Sequence, residues 1–129
     1  MPIPAKILVV DDQQFVRRTL RSLLAQQAHW AIYEAADGQA AVHRAREIKP
    51  DVVVMDLVMP GMNGLAASYE VRRVSPETKI VLISSHYIKE EAAHLTRLLG
   101  DGKFVPKSEM GKELVPAISH LLPDEKQAH

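Results

Sequence analysis

Five short apolar runs, each followed by an amphipathic segment, are compatible with only a few folds. The runs predict strands at Ile7–Val10, Ile32–Ala35, Val52–Met55, Ile80–Ile83 and Phe104–Val105. Most of these runs are continuously apolar rather than alternating, which is typical of strands that are covered on both faces. We therefore expect a parallel sheet with helices on both sides.

The segments between the strands carry apolar residues at helical spacing. They predict helices at Gln14–Gln27, Gly38–Ile48, Gly64–Val74, Ile88–Leu99 and Lys112–Leu122. The first helix is expected to bury an apolar stripe made of Phe15, Leu20, Leu23 and Leu24. Three basic residues are expected to lie outside that stripe, namely Arg17, Arg18 and Arg21.

Two prolines test this assignment. Pro106 falls in the last strand, and because proline cannot donate a hydrogen bond to a neighbouring strand, we expect that strand at an edge of the sheet. Pro116 lies about one turn inside the last predicted helix, where it should kink or weaken the helix. Neither proline overturns the alternating pattern.

Length, charge and composition restrict the function. A chain of 129 residues is long enough for one core, which we place at 1–122, with 123–129 as a C-terminal tail. Sixteen basic and sixteen acidic residues cancel, which argues against binding of nucleic acid or an anionic membrane. Cysteine is absent, so disulfides, thiolate metal sites and cysteine nucleophiles are excluded. With neither a leader nor an apolar stretch of ~20 residues, the sequence predicts a cytoplasmic protein.

Polar residues stand where four of the predicted strands end. Asp11 and Asp12 follow the first strand, Asp56 the third, Ser84 the fourth and Lys107 the fifth. Each alone fits a turn former or a helix cap. Ligands of an open parallel sheet, however, bind beyond the carboxyl ends of the strands. If the first and third strands are neighbours, three carboxylates meet in one cleft.

Oxygen ligands without histidine or cysteine suit a hard cation, and Mg²⁺ is the usual one near phosphate. The six histidines show no metal-site spacing, and His86 alone falls near the presumed cleft. The acidic cluster is therefore the predicted metal site.

Taken together and in order, these motifs resemble the receiver domain of bacterial two-component response regulators. The motifs are Asp11-Asp12, the segment Met55-Asp56-Leu57-Val58-Met59-Pro60-Gly61-Met62-Asn63-Gly64, Ile83-Ser84-Ser85 and Phe104-Val105-Pro106-Lys107. The resemblance covers essentially the whole chain. It implies an α/β, flavodoxin-like (βα)5 fold, a doubly wound parallel sheet with strand order 2-1-3-4-5. It also implies a phosphorelay signalling role, with no enzymatic activity beyond the domain's own phosphotransfer and slow dephosphorylation.

The resemblance assigns roles to the acidic residues. Asp56 would accept a phosphoryl group from a sensor histidine kinase or a phosphotransfer protein. Asp12 and Asp56 would bind Mg²⁺ directly, Asp11 through water, and the backbone carbonyl of Val58 would be the remaining protein ligand. A carboxylate can be the nucleophile because it is ionised at neutral pH.

The resemblance also implies a switch. Lys107 and Ser84 would contact the phosphoryl oxygens, and a movement of Ser84 would allow Phe104 to rotate inward. Phe104 fits an ordinary core residue equally well. Ser84 replaces the commoner threonine, Phe104 a tyrosine, and Ser108 the proline that usually follows the lysine. The signal would pass to a downstream partner or output domain, or to a homodimer.

Other classes fit less well. A haloacid dehalogenase-type phosphohydrolase needs a second aspartate two residues after the nucleophile, where Val58 stands. A flavodoxin needs a phosphate loop after the first strand, and the Asp11-Asp12 pair would repel that phosphate. A receiver that is never phosphorylated would not need the full acidic set. The sequence leaves open whether the domain acts alone or beside a DNA-binding domain.

Overall fold

The computed structural model describes residues 3–27, 29–87, 89–100 and 102–123, which form one five-stranded sheet and its covering helices. The strands are β1 (Ala5–Val10), β2 (Trp30–Ala35), β3 (Val52–Asp56), β4 (Lys79–Ser84) and β5 (Lys103–Pro106). The helices are α1 (Gln14–Leu24), α2 (Gly38–Ile48), α3 (Gly64–Val74), α4 (Lys89–Arg97) and α5 (Met110–Leu121), and a 3₁₀ turn spans Lys107–Glu109.

All neighbouring strands run parallel, in the order β2-β1-β3-β4-β5. This confirms the predicted fold and strand order. Pairing of β1 with β3 aligns Val10 with Met55, so Asp11 and Asp56 leave the sheet side by side. Pro106 lies in the edge strand β5, as predicted.

The core has two layers, one on each face of the sheet. Ile7 and Val9 pack with residues of α1 and α5, whereas Leu8 and Val10 pack with residues of α2 and α3. Strand β3 is buried along its whole length, which explains its continuously apolar sequence. Each fully buried aliphatic side chain contributes about 1.5–3 kcal/mol, so the centre of the sheet is firmly held.

Helix α1 departs from the predicted stripe. Phe15 is 80% exposed, and Val16 packs against the core instead, together with Leu20 and Leu24. The helical period explains the difference, because residues four apart share a face and Phe15 lies one position off the line through Leu20 and Leu24. Arg17 lies outside this stripe, as predicted, although its side chain is only 15% exposed.

The ends of the other helices match the expected ranges to within two residues, as far as those ranges are described. Helix α5 begins at Met110 rather than Lys112 and continues through Pro116. The predicted start of α4, Ile88, lies outside the described residues. Residues 124–129 of the predicted tail lie outside them as well. No helix in the described part of the chain has the length and apolar character needed to cross a membrane.

Candidate functional site

Three carboxylates converge where β1 and β3 end. Asp11, Asp12 and Asp56 each offer an oxygen atom, and these atoms lie within 4.8 Å of one another. Asp11 and Asp56 are buried, whereas Asp12 is exposed at the mouth of the cluster. The predicted meeting of three carboxylates is therefore confirmed, and its cause is the β1–β3 pairing.

Local hydrogen bonds orient the two buried carboxylates. Oδ1 of Asp11 accepts a hydrogen bond from the backbone N–H of Gln13 at 2.9 Å. Oδ1 of Asp56 accepts one from the backbone N–H of Val58 at 3.2 Å. Each loop thus fixes the rotation of the carboxylate that precedes it, and both Oδ2 atoms stay available to the cluster.

Lys107 supplies the counter-charge. Its Nζ lies 2.7 Å from Oδ2 of Asp11 and 3.3 Å from Oδ2 of Asp56. The 3₁₀ turn after the edge strand β5 brings this lysine to the cluster. Its side chain is only 15% exposed, so the attraction between these charges is screened less by water than in a surface pair.

Burial and charge set the protonation of the site. Burial and the neighbouring charge of Asp11 raise the pKa of Asp56 to about 6, and Lys107 partly opposes this rise. Burial alone would lower the pKa of Lys107, but hydrogen bonding to Asp11 and the charge of Asp56 raise it above its usual value. Asp56 is therefore mostly ionised at neutral pH, and Lys107 is an ammonium group.

The cluster fits a hard divalent cation. Oδ2 of Asp11 is buried, and the ammonium group of Lys107 lies 2.7 Å from it. Three carboxylate oxygens within 4.8 Å of one another suit a hard divalent cation, which prefers oxygen ligands. Val58 lines the same cleft.

The cleft beside the carboxylates has a volume of about 460 Å³. It is lined by Asp12, Gln13, Asp56, Val58, Met59, Pro60, Ser85, His86 and Lys107. Ser85 therefore forms part of its wall, whereas Ser84, the predicted phosphoryl contact, is not one of its lining residues. Ser84 is fully buried, and its Oγ accepts a hydrogen bond from the backbone N–H of His86 at 2.9 Å.

Phe104 lies away from the carboxylate cleft. It is half-buried on β5, packs against the core layer beneath α2 and α3, and lines a separate groove between β5 and α5. Two contributors to the carboxylate site were not predicted. Gln13 was not singled out, although its position directly after Asp12 was a signal. Arg17 was predicted only to lie outside the apolar stripe of its helix, and its contact with the backbone of Asp11 was not foreseen.

Comparison with known proteins agrees with this geometry. Residues 7–119 match the family model described as the response regulator receiver domain. The chain is 38% identical to the chemotaxis protein CheY of Thermotoga maritima over 80 residues, which is 62% of this chain and 67% of that protein. It is 32% identical over 117 residues to the response regulator protein VraR of Staphylococcus saprophyticus, covering 90% of this chain and 56% of that protein.

A solved structure shows the same fold. The LuxR-family two-component response regulator from Aurantimonas sp. superposes with a TM-score of 0.83 at 34% identity, covering 98% of this chain and 89% of that chain. The chain therefore spans only a little over half of the VraR relative but nearly all of this structure.

Proposed function

Because the chain belongs to the response regulator receiver domain family of two-component systems, we propose that Asp56 is its phosphoryl acceptor. The observation that carries this proposal is the meeting of three carboxylates and a lysine at one sheet edge. Of the two buried carboxylates, Asp56 lines the cleft and Asp11 does not. The acceptor therefore has both access and an adjacent cation.

Asp56 would act as the nucleophile without a general base. Its carboxylate is mostly ionised at neutral pH because its pKa is about 6. One carboxylate oxygen would form a bond to the phosphorus of a phosphohistidine, while the bond from phosphorus to the imidazole nitrogen breaks. The leaving imidazole then takes up a proton from water. Oδ1 of Asp56 accepts the hydrogen bond from the N–H of Val58, and Oδ2 lies 3.3 Å from Nζ of Lys107, so a cationic group stands beside the carboxylate.

Asp11, Asp12 and Asp56 would hold Mg²⁺, with the backbone carbonyl of Val58 as a further ligand. When bound, the ion offsets repulsion among the carboxylates and the negative charge on the transferring phosphoryl group. The exposure of Asp12 at the mouth of the cluster leaves its carboxylate accessible to a cation, whereas Asp11 is buried and paired with Lys107. Mg²⁺ is thus the cofactor of this proposal.

Lys107 would exchange partners during the reaction. Its ammonium group is closer to Asp11 than to Asp56, so before the transfer it would mainly neutralise Asp11. After the transfer it would bind an oxygen of the phosphoryl group as a compact point charge. Lys107 therefore balances the charge of the acidic cluster in both states.

We further propose that Ser84 and Phe104 transmit the modification. Phosphorylation adds about −1.5 to −2 charges and three acceptor oxygens. Ser84 would give up its hydrogen bond from His86 and turn its hydroxyl toward these oxygens, and Phe104 would then rotate inward. The signal would pass to a partner, a linked output domain or a second copy of the chain.

Within this proposal the phosphoryl donor is a sensor histidine kinase or a phosphotransfer protein, and the domain works in the cytoplasm. It catalyses its own phosphotransfer and slow dephosphorylation and no other reaction. The phosphohydrolase alternative is disfavoured because such an enzyme needs an acidic residue two positions after the nucleophile. The apolar Val58 occupies that position beside the cleft.

The proposed chemistry can be tested with a small acyl phosphate such as acetyl phosphate. With Mg²⁺, the protein is expected to gain one phosphoryl group by intact mass, and hydroxylamine should remove it because acyl phosphates are labile to that nucleophile. Excess EDTA should abolish the gain. A phosphoryl group that forms without divalent cations, or that survives hydroxylamine, would contradict the proposal.

The switch predicts different behaviour for two adjacent serines. With the phosphoryl mimic beryllofluoride and Mg²⁺, NMR shifts are expected at Phe104 and along α4 in the wild-type protein. Ser84→Ala should bind the mimic but lose these distant shifts, because the buried hydroxyl is missing. The matched control, Ser85→Ala, should retain them. Distant shifts that persist in Ser84→Ala would rule out this route.

A further inference from the structure

A partly buried arginine contacts the turn that carries the Asp11-Asp12 pair. Nη1 of Arg17 donates a hydrogen bond to the backbone carbonyl of Asp11 at 2.7 Å. The side chain of Arg17 is 15% exposed, so this contact is largely shielded from water. Charge-assisted hydrogen bonds of this kind are about twice as strong as neutral ones.

Glu34 on β2 holds this arginine in place. Its Oε1 lies 3.2 Å from Nε of Arg17, and its Oε2 lies 2.7 Å from Nε of Arg21. Arg21 also donates to the backbone carbonyl of Ile32 at 3.1 Å. The hydrogen bond from Arg21 lowers the pKa of Glu34, so Glu34 is ionised at neutral pH.

The peptide groups of Asp11 are therefore fixed on both sides. Its N–H donates to the carbonyl of Ala35 on β2 at 3.3 Å, and its C=O accepts from Arg17. The next peptide unit belongs to Asp12, the exposed member of the carboxylate cluster. Any rotation at the Asp11 carbonyl would also move Asp12.

We propose that Arg17, clamped by Glu34, is a positioning residue that holds the Asp11-Asp12 turn in the geometry that binds a divalent cation. This inference rests on the proposed Mg²⁺ site. It assigns a role in metal binding to two residues that contact neither the cleft nor the carboxylate oxygens. Arg21 shares Glu34 with Arg17 but does not contact Asp11 in the described structure, so it offers a matched control.

Charge and position predict opposite effects for Arg17→Gln. Removing a positive charge near a cation site should tighten Mg²⁺ binding. Losing the clamp should weaken it, by about tenfold, the usual cost of losing a residue that orients metal ligands. Arg17→Lys keeps the charge but cannot donate to both Glu34 and Asp11 in the same geometry, so it should weaken binding as well.

The experiment is calorimetric titration of the full chain with MgCl₂, alongside melting curves in EDTA. We expect Arg17→Gln and Arg17→Lys to weaken Mg²⁺ binding by about tenfold, with Arg21→Gln changed less than about twofold. Glu34→Gln, which frees Arg17 without removing it, should weaken binding by an intermediate factor and covers the case in which Arg17→Gln fails to fold.

Binding by the folded Arg17 variants that equals that of Arg21→Gln would overturn the positioning role and leave the metal site intact. If Arg17→Gln does not fold, unchanged binding by Glu34→Gln and Arg17→Lys would overturn it equally. A wild-type protein that binds no Mg²⁺ would overturn both this inference and the proposed metal site, so the two failures are distinguishable.

Discussion

In Asp56→Asn, phosphoryl uptake from an acyl phosphate is expected to fall by roughly 100-fold or more, while the fold becomes more stable. The carboxamide has no anionic oxygen to attack phosphorus. It does keep an oxygen that can accept the hydrogen bond from the N–H of Val58. The loss would therefore come from chemistry and not from misfolding.

The gain in stability follows from the pKa of Asp56. Its value is about 6 in the folded protein, raised from 3.8 by burial and by Asp11. Between these values the folded state binds more protons than the unfolded state, so the free energy of unfolding decreases as pH rises. Without metal, Asp56→Asn should thus gain about 1–3 kcal/mol at pH 7.5 and little near pH 4.

Intact mass after incubation with acetyl phosphate and Mg²⁺ measures uptake, and urea unfolding in EDTA at the two pH values measures stability. Asp51→Asn is the matched control. Asp51 lies directly before β3, at the end of the strand opposite to Asp56, and its carboxylate accepts a hydrogen bond from the N–H of Lys6. That control should take up phosphate normally. Equal uptake by Asp56→Asn would show that another residue is the acceptor.

Gly64→Ala is expected to destabilise the fold by about 3 kcal/mol or more and to displace the acceptor strand. A Cβ atom at Gly64 would lie 2.0 Å from the carbonyl oxygen of Asp56 and 2.8 Å from the Cα of Leu57. The obstacle is backbone, which cannot rotate away as a flexible side chain can. The N–H of Gly64 also donates to the carbonyl of Leu57 at 2.9 Å, so the two segments are held together.

Gly111→Ala provides the control for this substitution. Gly111 lies inside α5, and a Cβ atom there would meet nothing within 4 Å. Alanine should therefore stabilise the protein by about 0.5–1 kcal/mol. Urea unfolding compares the two variants, and phosphoryl uptake by Gly64→Ala should fall with its stability. A Gly64→Ala protein as stable as wild type would contradict the close backbone contact.

The sheet could be predicted from sequence because burial on both faces produces unbroken apolar runs. The run at 52–55 lies in a strand with no exposed residue. No polar residue interrupts it, so the sequence clearly indicates a buried strand. The convergence of Asp11, Asp56 and Lys107 was also predictable, since parallel strands deliver their carboxyl ends to one edge.

Side-chain direction was harder to predict. Phe15 and Val16 are both apolar neighbours, and the wrong one was assigned to the core because the start of α1 carries no capping side chain to fix its phase. Ser84 and Ser85 are identical in chemistry, and which hydroxyl reaches the cleft depends on where β4 ends. The contact of Arg17 with Asp11 depends on Glu34, which is distant in sequence and gives no local signal.

Because β5 lies at the edge of the sheet, the part of the site that it carries should open more easily than the part carried by β3. Strand β3 lies between two partners, whereas the four-residue β5 has one partner and contains Pro106. Local opening costs less free energy where fewer backbone hydrogen bonds and buried contacts must break. Transient detachment of β5 would withdraw Lys107 while Asp11 and Asp56 remain in register. The acidic cluster would then keep its shape and lose its neutralising charge, so fluctuations at the rim of the sheet would alter its affinity for cations.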